Sequence, residues 1–399
     1  MLLTDVNRDS SGADEKEDVM KVVVAIDSLK GSLTSLEAGE AIRDGVLNVF
    51  PDADVQVRPL ADGGEGTVEA LVLGMGGELQ KIMVTGPHGR QVEAAYGILS
   101  DKTTAVMEMA QAAGITMVEG EERNPLYTTT YGVGEMICDA MNRGCRNFIV
   151  GIGGSATNDG GIGMLMALGY EFLDAENKSV SMFGEGLRDI AEVRKDKVNP
   201  LLSECSFRIA CDVTNPLCGP EGCSAIYGPQ KGATPEIVKT MDGWLAKFAE
   251  TVKKVFPEAD PVYPGTGAAG GLGFAFRTFT NAVLESGIRI ILDETKLEEY
   301  VKDADVVITG EGRLDGQTVM GKAPVGVAEI AKKYDKIVLA FAGCVTPDAV
   351  ACNEHGIDAY FPILQGVSTL EEAMDGENAR KNMTATVTQA FLLLSRAMK

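Results

Sequence analysis

The residues best suited to chemistry in this 399-residue sequence stand in short clusters bracketed by glycine. GIGGSATNDGGIG, residues 151–163, follows the strand-like run NFIVGI (147–152) and opens a glycine-rich helix that stops at Gly169. Gly153, Gly154, Ser155, Asn158 and Asp159 crowd this loop. Such a loop offers backbone donors and short polar side chains to an anion, with the helix dipole adding a favourable field. Simple capping accounts for one of these polar groups, not for all of them.

Two acidic segments share one logic. LADGGEGT, residues 60–67, carries Asp62, and TGEGRLDG, residues 309–316, carries Gly310, Glu311, Gly312, Arg313 and Asp315. Both put carboxylates between glycines just beyond a strand, on the edge where open α/β sheets take their ligands. AIDSLKGS, residues 25–32, sets Asp27, Ser28 and Lys30 at the end of the first strand. ACDVTNPLCGPEG, residues 210–222, sets Asp212 and Asn215 after the strand-like FRIAC.

Two glycine patterns resemble nucleotide motifs. Residues 316–322 have the spacing G-x-x-x-x-G-K, ending in Gly321 and Lys322, with a strand before and a helix after. Ala323 occupies the place of the Ser/Thr that would hold Mg²⁺, so this is no true Walker loop, though Lys322 and nearby backbone N–H groups could still face phosphates. Residues 265–270 match G-x-G-x-x-G, but DPVYP before them is no strand, so packing or loop shape is expected there rather than dinucleotide binding.

The rest of the inventory narrows the chemistry. With only two histidines, His88 and His355, both in turn-like surroundings, a Ser-His-Asp or Cys-His mechanism is not expected and proton transfer falls to a carboxylate. Phosphoryl transfer suits such a set, because positioning and charge neutralisation by a metal and Lys/Arg do most of its catalysis. The eight cysteines form no C-x-x-C pair, which argues for free thiols in a reducing compartment and against a zinc site. A net charge of −22 repels polyanions, so neither nucleic acid nor an anionic membrane is an expected partner. There is no apolar run of about 20 residues and no signal-peptide pattern at the start, which points to the cytoplasm.

The elements that must hold these clusters follow from hydrophobic pattern. KVVVAID (21–27), DVQVRPL (54–60), ADVVITG (304–310), KIVLAFAG (336–343) and DAYFPIL (358–364) read as strands of a parallel sheet. Helices are expected after the Thr34/Glu37 capping box, over 324–334, over 347–355 and over 370–398. Between residues 78 and 110, three strand-like runs joined by turns at 87–89 and 101–102 can only be antiparallel. The expected fold is α/β: a doubly wound, flavodoxin/Rossmann-like parallel-sheet domain from both chain ends (21–77 and 284–399), with a mixed α/β domain inserted over 78–283. Residues 1–20 read as a loose polar extension.

Taken together, DSLKGSLTS, PLADGGEGT, GIGGSATNDGGIGML, ACDVTNPLCGPEG, YGPQKGA, PGTGAAGGLG and GEGRLDGQTVMGKAPVGVA resemble the bacterial glycerate kinase family whose product is 2-phosphoglycerate. The likeness spans nearly the whole chain after the first 20 residues. It departs at the first motif, where the family usually reads Pro-Asp-Ser-Phe-Lys and this chain has Ile26 and Leu29 in place of the proline and phenylalanine. The resemblance implies a two-domain enzyme that uses ATP and Mg²⁺ on glycerate in an interdomain cleft; separately, a monomer or a homodimer is expected. Chemistry then suggests individual roles. Lys30 and Lys322 would neutralise phosphate charge, and Arg313 could fork onto a carboxylate or phosphate. Asp212 or Asp62 would orient or deprotonate the attacking hydroxyl, and Glu311 or Asp315 would hold the metal. The loop 153–159, with Asp27, Ser28, Asn215, Gly310, Gly312 and Gly321, would bind substrate or phosphate. A nicotinamide-dependent dehydrogenase and a non-catalytic binder of phosphorylated metabolites are the rival readings.

Overall fold

The computed structural model describes residues 19–61 and 66–397. Among these the strands, in chain order, are β1 Lys21–Val24, β2 Asp54–Val57, β3 Glu78–Thr85, β4 Gln91–Ile98, β5 Thr104–Glu108, β6 Asn147–Gly151, β7 Glu171–Leu173, β8 Glu192–Arg194, β9 Ser206–Ala210, β10 Ala282–Glu285, β11 Val306–Leu314, β12 Ile337–Val345 and β13 Ala359–Pro362. They form two large sheets and the small β7–β8 pair.

The first sheet has the order β2-β1-β11-β12-β13 and every pairing in it is parallel. That is the flavodoxin-like order, with its switch point between β1 and β11. β1 can be central because it is apolar on both faces: Val22 and Val24 enter one core and Val23 the other. The helix Ser35–Leu47 starts at the expected capping box, Thr34 and Glu37 each satisfying the other's backbone N–H.

The second sheet runs β10-β9-β6-β5-β4-β3. β3, β4 and β5 meander antiparallel through the two short turns, and β5, β6, β9 and β10 are parallel. The α/β fold class, with a parallel sheet from both chain ends and a mixed sheet from the middle, is as the sequence led one to expect.

Three apolar layers hold the sheets. The helices Ser35–Leu47 and Gly376–Ala397 cover the outer face of the first sheet. A middle layer is shared: Val23, Val307 and Val338 of the first sheet join Val106, Ile149 and Ala210 of the second around the helices Thr67–Met75, Gly287–Glu294 and Ala323–Lys332. The far face of the mixed sheet buries the aromatic cluster that includes Phe148, Phe207, Phe248, Phe274 and Phe276.

Two elements differ from expectation. β11 continues through the acidic segment to Leu314, because β12 also lengthens and pairs with it as far as Val345. The C-terminal helix is two helices, Leu370–Met374 and Gly376–Ala397. Asp375 breaks it with extended backbone (φ −62°, ψ 123°) and its carboxylate accepts from Asn378 N at 2.9 Å, capping the second helix.

Candidate functional site

Side-chain alternation brings the first set of polar residues to one face. Val23 and Ala25 enter the shared layer, so Asp27, two residues on, turns the same way; from Val307, so do Thr309 and Glu311. Asp27 N donates to Gly310 O at 3.0 Å, which seats Asp27 beside Glu311 at the switch point. Asp27 is buried and its carboxylate accepts from Ser28 N at 2.6 Å. Thr309 is buried too, with no partner for its hydroxyl among the described residues.

A charge cluster follows along β11. Glu311 accepts from Thr318 Oγ1 at 2.7 Å and from Lys322 Nζ at 3.3 Å. Lys322 also stands 3.8 Å from Asp315, and Arg313 Nε lies 3.4 Å from the other oxygen of that carboxylate. Burial raises the pKa of Glu311, and Thr318 and Lys322 oppose the rise. Lys322 sits at the N-cap of the helix Ala323–Lys332 without capping it through its side chain, and the preceding Gly321 needs its positive φ of +94°. Gly312 brings β11 close to the first loop: an added Cβ would stand 3.5 Å from Lys30 N. Lys30, Gly312, Arg313 and Lys322 therefore belong to one edge, with Gly310 beside Asp27.

The mixed sheet opens toward the same side. Glu108, the last residue of β5, accepts from Val68 N in the first turn of Thr67–Met75 at 3.1 Å. Asp212, just past β9, accepts from Gly287 N at the start of Gly287–Glu294 at 3.1 Å and is otherwise exposed. Both helices belong to the shared layer, so the carboxyl ends of the parallel strands of both sheets converge there. A cavity of about 60 Å³ lies at the end of β1, lined by Asp27, Ser28, Thr34, Ala61, Gly66 and Glu69. A larger concavity of about 990 Å³ is on the outer side of the C-terminal helix, beside Asn48, Arg380 and Thr384, and holds none of the glycine-bracketed residues. Asp62 falls outside the described residues.

The 153–159 loop divides into two parts. Gly153 and Gly154 are exposed, Gly154 with φ +70°. Asn158 and Asp159 instead face the interior. Asn158 donates to Ser224 Oγ at 2.8 Å. Asp159 accepts from Thr130 N, Thr130 Oγ1, Gly161 N and Gly163 N at 2.7 to 3.3 Å, while burial pushes its pKa up. The helix beyond the loop is only Ile162–Ala167, so its dipole starts well past Gly153. Asn215 is likewise taken up locally, donating to Glu221 O at 2.9 Å and accepting from Tyr227 OH at 2.6 Å. Gly270 and Gly271 pack against residues 157–160: a Cβ on Gly270 would come 2.1 Å from Thr157 O, and one on Gly271 would come 2.7 Å from Gly160 Cα.

Three participants in the geometry escaped the sequence reading. Thr318 and Glu108 are ordinary residues of a loop and a strand end until their partners are known. Lys231, in YGPQKGA, is buried at 2% exposure beneath the 153–159 loop. Its one signal in sequence was membership of that segment. Among the described residues, no group of three or more His, Cys, Asp or Glu side chains is placed to hold a metal ion. No helix among them is long and apolar enough to cross a membrane.

Known proteins resemble this chain over nearly its whole length. The model of the Glycerate kinase family matches residues 22–395. The chain is 47% identical to the Glycerate kinase of Haemophilus influenzae, covering 94% of this chain and 99% of the relative. It is 46% identical to the Glycerate 2-kinase of Escherichia coli K12, covering 92% and 98% respectively. A crystal structure of a Salmonella typhimurium LT2 protein described as glycerate kinase 2 superposes with a TM-score of 0.89 at 45% identity, covering 96% of this chain and all of that one. On sequence, length and fold alike, the chain belongs to the glycerate kinase family.

Proposed function

We propose that this protein transfers the γ-phosphoryl group of ATP to D-glycerate and releases 2-phosphoglycerate and ADP. The observation that carries this reading is the 46% identity to the Glycerate 2-kinase of Escherichia coli over 98% of that protein's length. The site chemistry supports it. The glycerate hydroxyl attacks the γ-phosphorus in line, the new O–P bond forming as the bond to the β-phosphate oxygen breaks. Asp212 or Asp62 takes the hydroxyl proton. Lys30 and Lys322 offset charge on the transferring group, and Arg313, 63% exposed, is free to swing onto a phosphate or the glycerate carboxylate. Asp27, Ser28, Gly310 and Gly312 line the approach at the switch point. Gly153, Gly154 and Ser155 receive an oxyanion, while Asn158, Asp159 and Asn215 hold their loops in shape.

Mg²⁺ needs only one or two carboxylates when phosphates and waters complete its shell. Glu311 and Asp315, which share Lys322, fit that demand, and the ion would neutralise triphosphate charge there. Substrates would meet between a domain of residues 21–77 and 284–399 and one of 78–283.

A coupled assay with ATP, Mg²⁺ and D-glycerate, with the product identified by NMR, tests the reading. ADP should form only when glycerate and a divalent cation are both present, with phosphate on the C2 oxygen. Turnover in excess EDTA would remove the metal, phosphate on C3 would change the product, and no glycerate-dependent ADP would remove the function.

A further inference from the structure

Lys231 is a buried cation outside the chemistry assigned so far. It ends the turn Pro229–Lys231 at 2% exposure. Its ammonium donates to Ser155 Oγ at 2.7 Å and to Thr157 O at 2.6 Å. Those partners are a neutral hydroxyl and a carbonyl, so the desolvation of the charge is not offset by an ion pair. The charge thus meets the loop at Ser155, next to Gly153 and Gly154 in sequence. Among the described residues, nothing lies within 4 Å of a Cβ built on Gly153, and on Gly154 the one neighbour is Ala110 Cβ at 3.6 Å.

An ammonium can only donate. By filling a lone pair of Ser155 Oγ, it leaves the Ser155 hydroxyl hydrogen to donate elsewhere. The backbone on either side is already committed, Gly154 O to Ile115 N at 2.8 Å and Ala156 N to Ala113 O at 2.9 Å. Thr157 adds a hydroxyl that is fully buried and without a partner among the described residues.

We propose that Lys231 is a positioning residue of the oxyanion subsite at Gly153–Ser155: it turns the Ser155 hydroxyl outward as a donor and supplies the positive potential that draws a phosphate or carboxylate onto the exposed turn. This rests on the kinase reading above and identifies what charges that subsite. The titration of Lys231 is consistent with it. Desolvation lowers its pKa to about 8, against the opposing pull of Cys223 and Asp159, the titratable groups that face it. Burial pushes the Cys223 thiol up to about 12. A bound oxyanion favours the protonated lysine, so binding weakens as pH rises through about 8.

The test compares full-length wild type, Lys231→Met and Ser155→Ala in glycerate-dependent ATP turnover from about pH 6.5 to 9.5. In wild type, kcat/KM for the substrate bound at the turn should fall above about pH 8. Lys231→Met should lose about 10–100-fold in kcat/KM at pH 7 through KM for that same substrate and show no such fall, and Ser155→Ala should lose part of it. A KM effect on ATP makes the oxyanion a phosphate, and one on glycerate makes it the carboxylate. Wild-type KM values and pH profile in Lys231→Met overturn the proposal. If that variant does not fold, unchanged KM values in Ser155→Ala overturn it instead. Should wild type lack glycerate kinase activity, the kinase reading fails by itself. Lys231 is then judged by melting shifts with inorganic pyrophosphate and D-glycerate: a shift in wild type that Lys231→Met loses supports the role, and equal shifts, or none in either protein, refute it.

Discussion

At Lys322 an exposed surface lysine and a catalytic one make different forecasts. The side chain is 37% exposed and bonded to Glu311 at 3.3 Å, so its contribution to folding should be small, within about 0.5–1 kcal/mol. A cation that meets charge as it develops on the transferring oxygens is worth far more, about 10²-fold in rate. Lys322→Ala is therefore expected to lower kcat by that order while the melting curve barely moves, and wild-type kcat in a folded variant would reduce the residue to a solvated turn lysine. Spacing and neighbouring glycines mark Lys322, Glu311 and Asp315 in the sequence, and the fold brings the three side chains together. Lys231 was not legible there, since nothing local distinguishes a lysine that will be buried from one that will be solvated. Asn158 and Asp159 show the converse. Their polarity suggested a ligand, yet their partners are Ser224, Thr130 and nearby backbone N–H groups, some of them distant in sequence and visible only after folding.

Among the elements, the 265–271 segment separates glycine used for closeness from glycine used for turning. Gly270 does both, with φ +66° and Thr157 O at 2.1 Å from an added Cβ. Gly270→Ala should cost about 2–4 kcal/mol, from left-handed strain plus a backbone clash that displaces the loop. Gly243 is the control: it lies mid-helix in Pro235–Lys253 with nothing among the described residues within 4 Å of an added Cβ. Gly243→Ala should stabilise by about 0.5–1 kcal/mol. Chemical denaturation of both variants checks the pair, and equal effects would refute the packing role of Gly270. The same segment shows what its glycines are packed against. A dinucleotide turn needs its glycines open to a ligand, whereas a Cβ on Gly265 would meet Cys211, one on Gly267 would meet Pro216 O and one on Gly270 would meet Thr157 O. The length of β11 could not be read from TGEGRL alone, because what keeps those residues in a strand is their pairing with β12.

For the whole molecule, the decisive feature is the middle layer. Both sheets bury side chains in it, and Arg208 of β9 ties it further, reaching Glu285 at 2.7 Å and Asp293 and Glu294 at 2.9 Å. Two units joined by a continuous apolar core should unfold together. Calorimetry is expected to give one transition with matching van't Hoff and calorimetric enthalpies, and two resolved peaks would count against a shared core. The sheet topology has a further consequence during synthesis. β1 lies between β2 and β11, and Lys21 N bonds to Asp305, 284 residues later. At about 5–20 residues per second, one flank of β1 stays unpaired on the ribosome for roughly 15–60 s. Meanwhile the whole mixed sheet emerges and can pair. The nascent chain thus carries an apolar strand with a bare edge for most of its translation, and stalled or truncated products lacking β11 are the species most prone to aggregate or to require a chaperone.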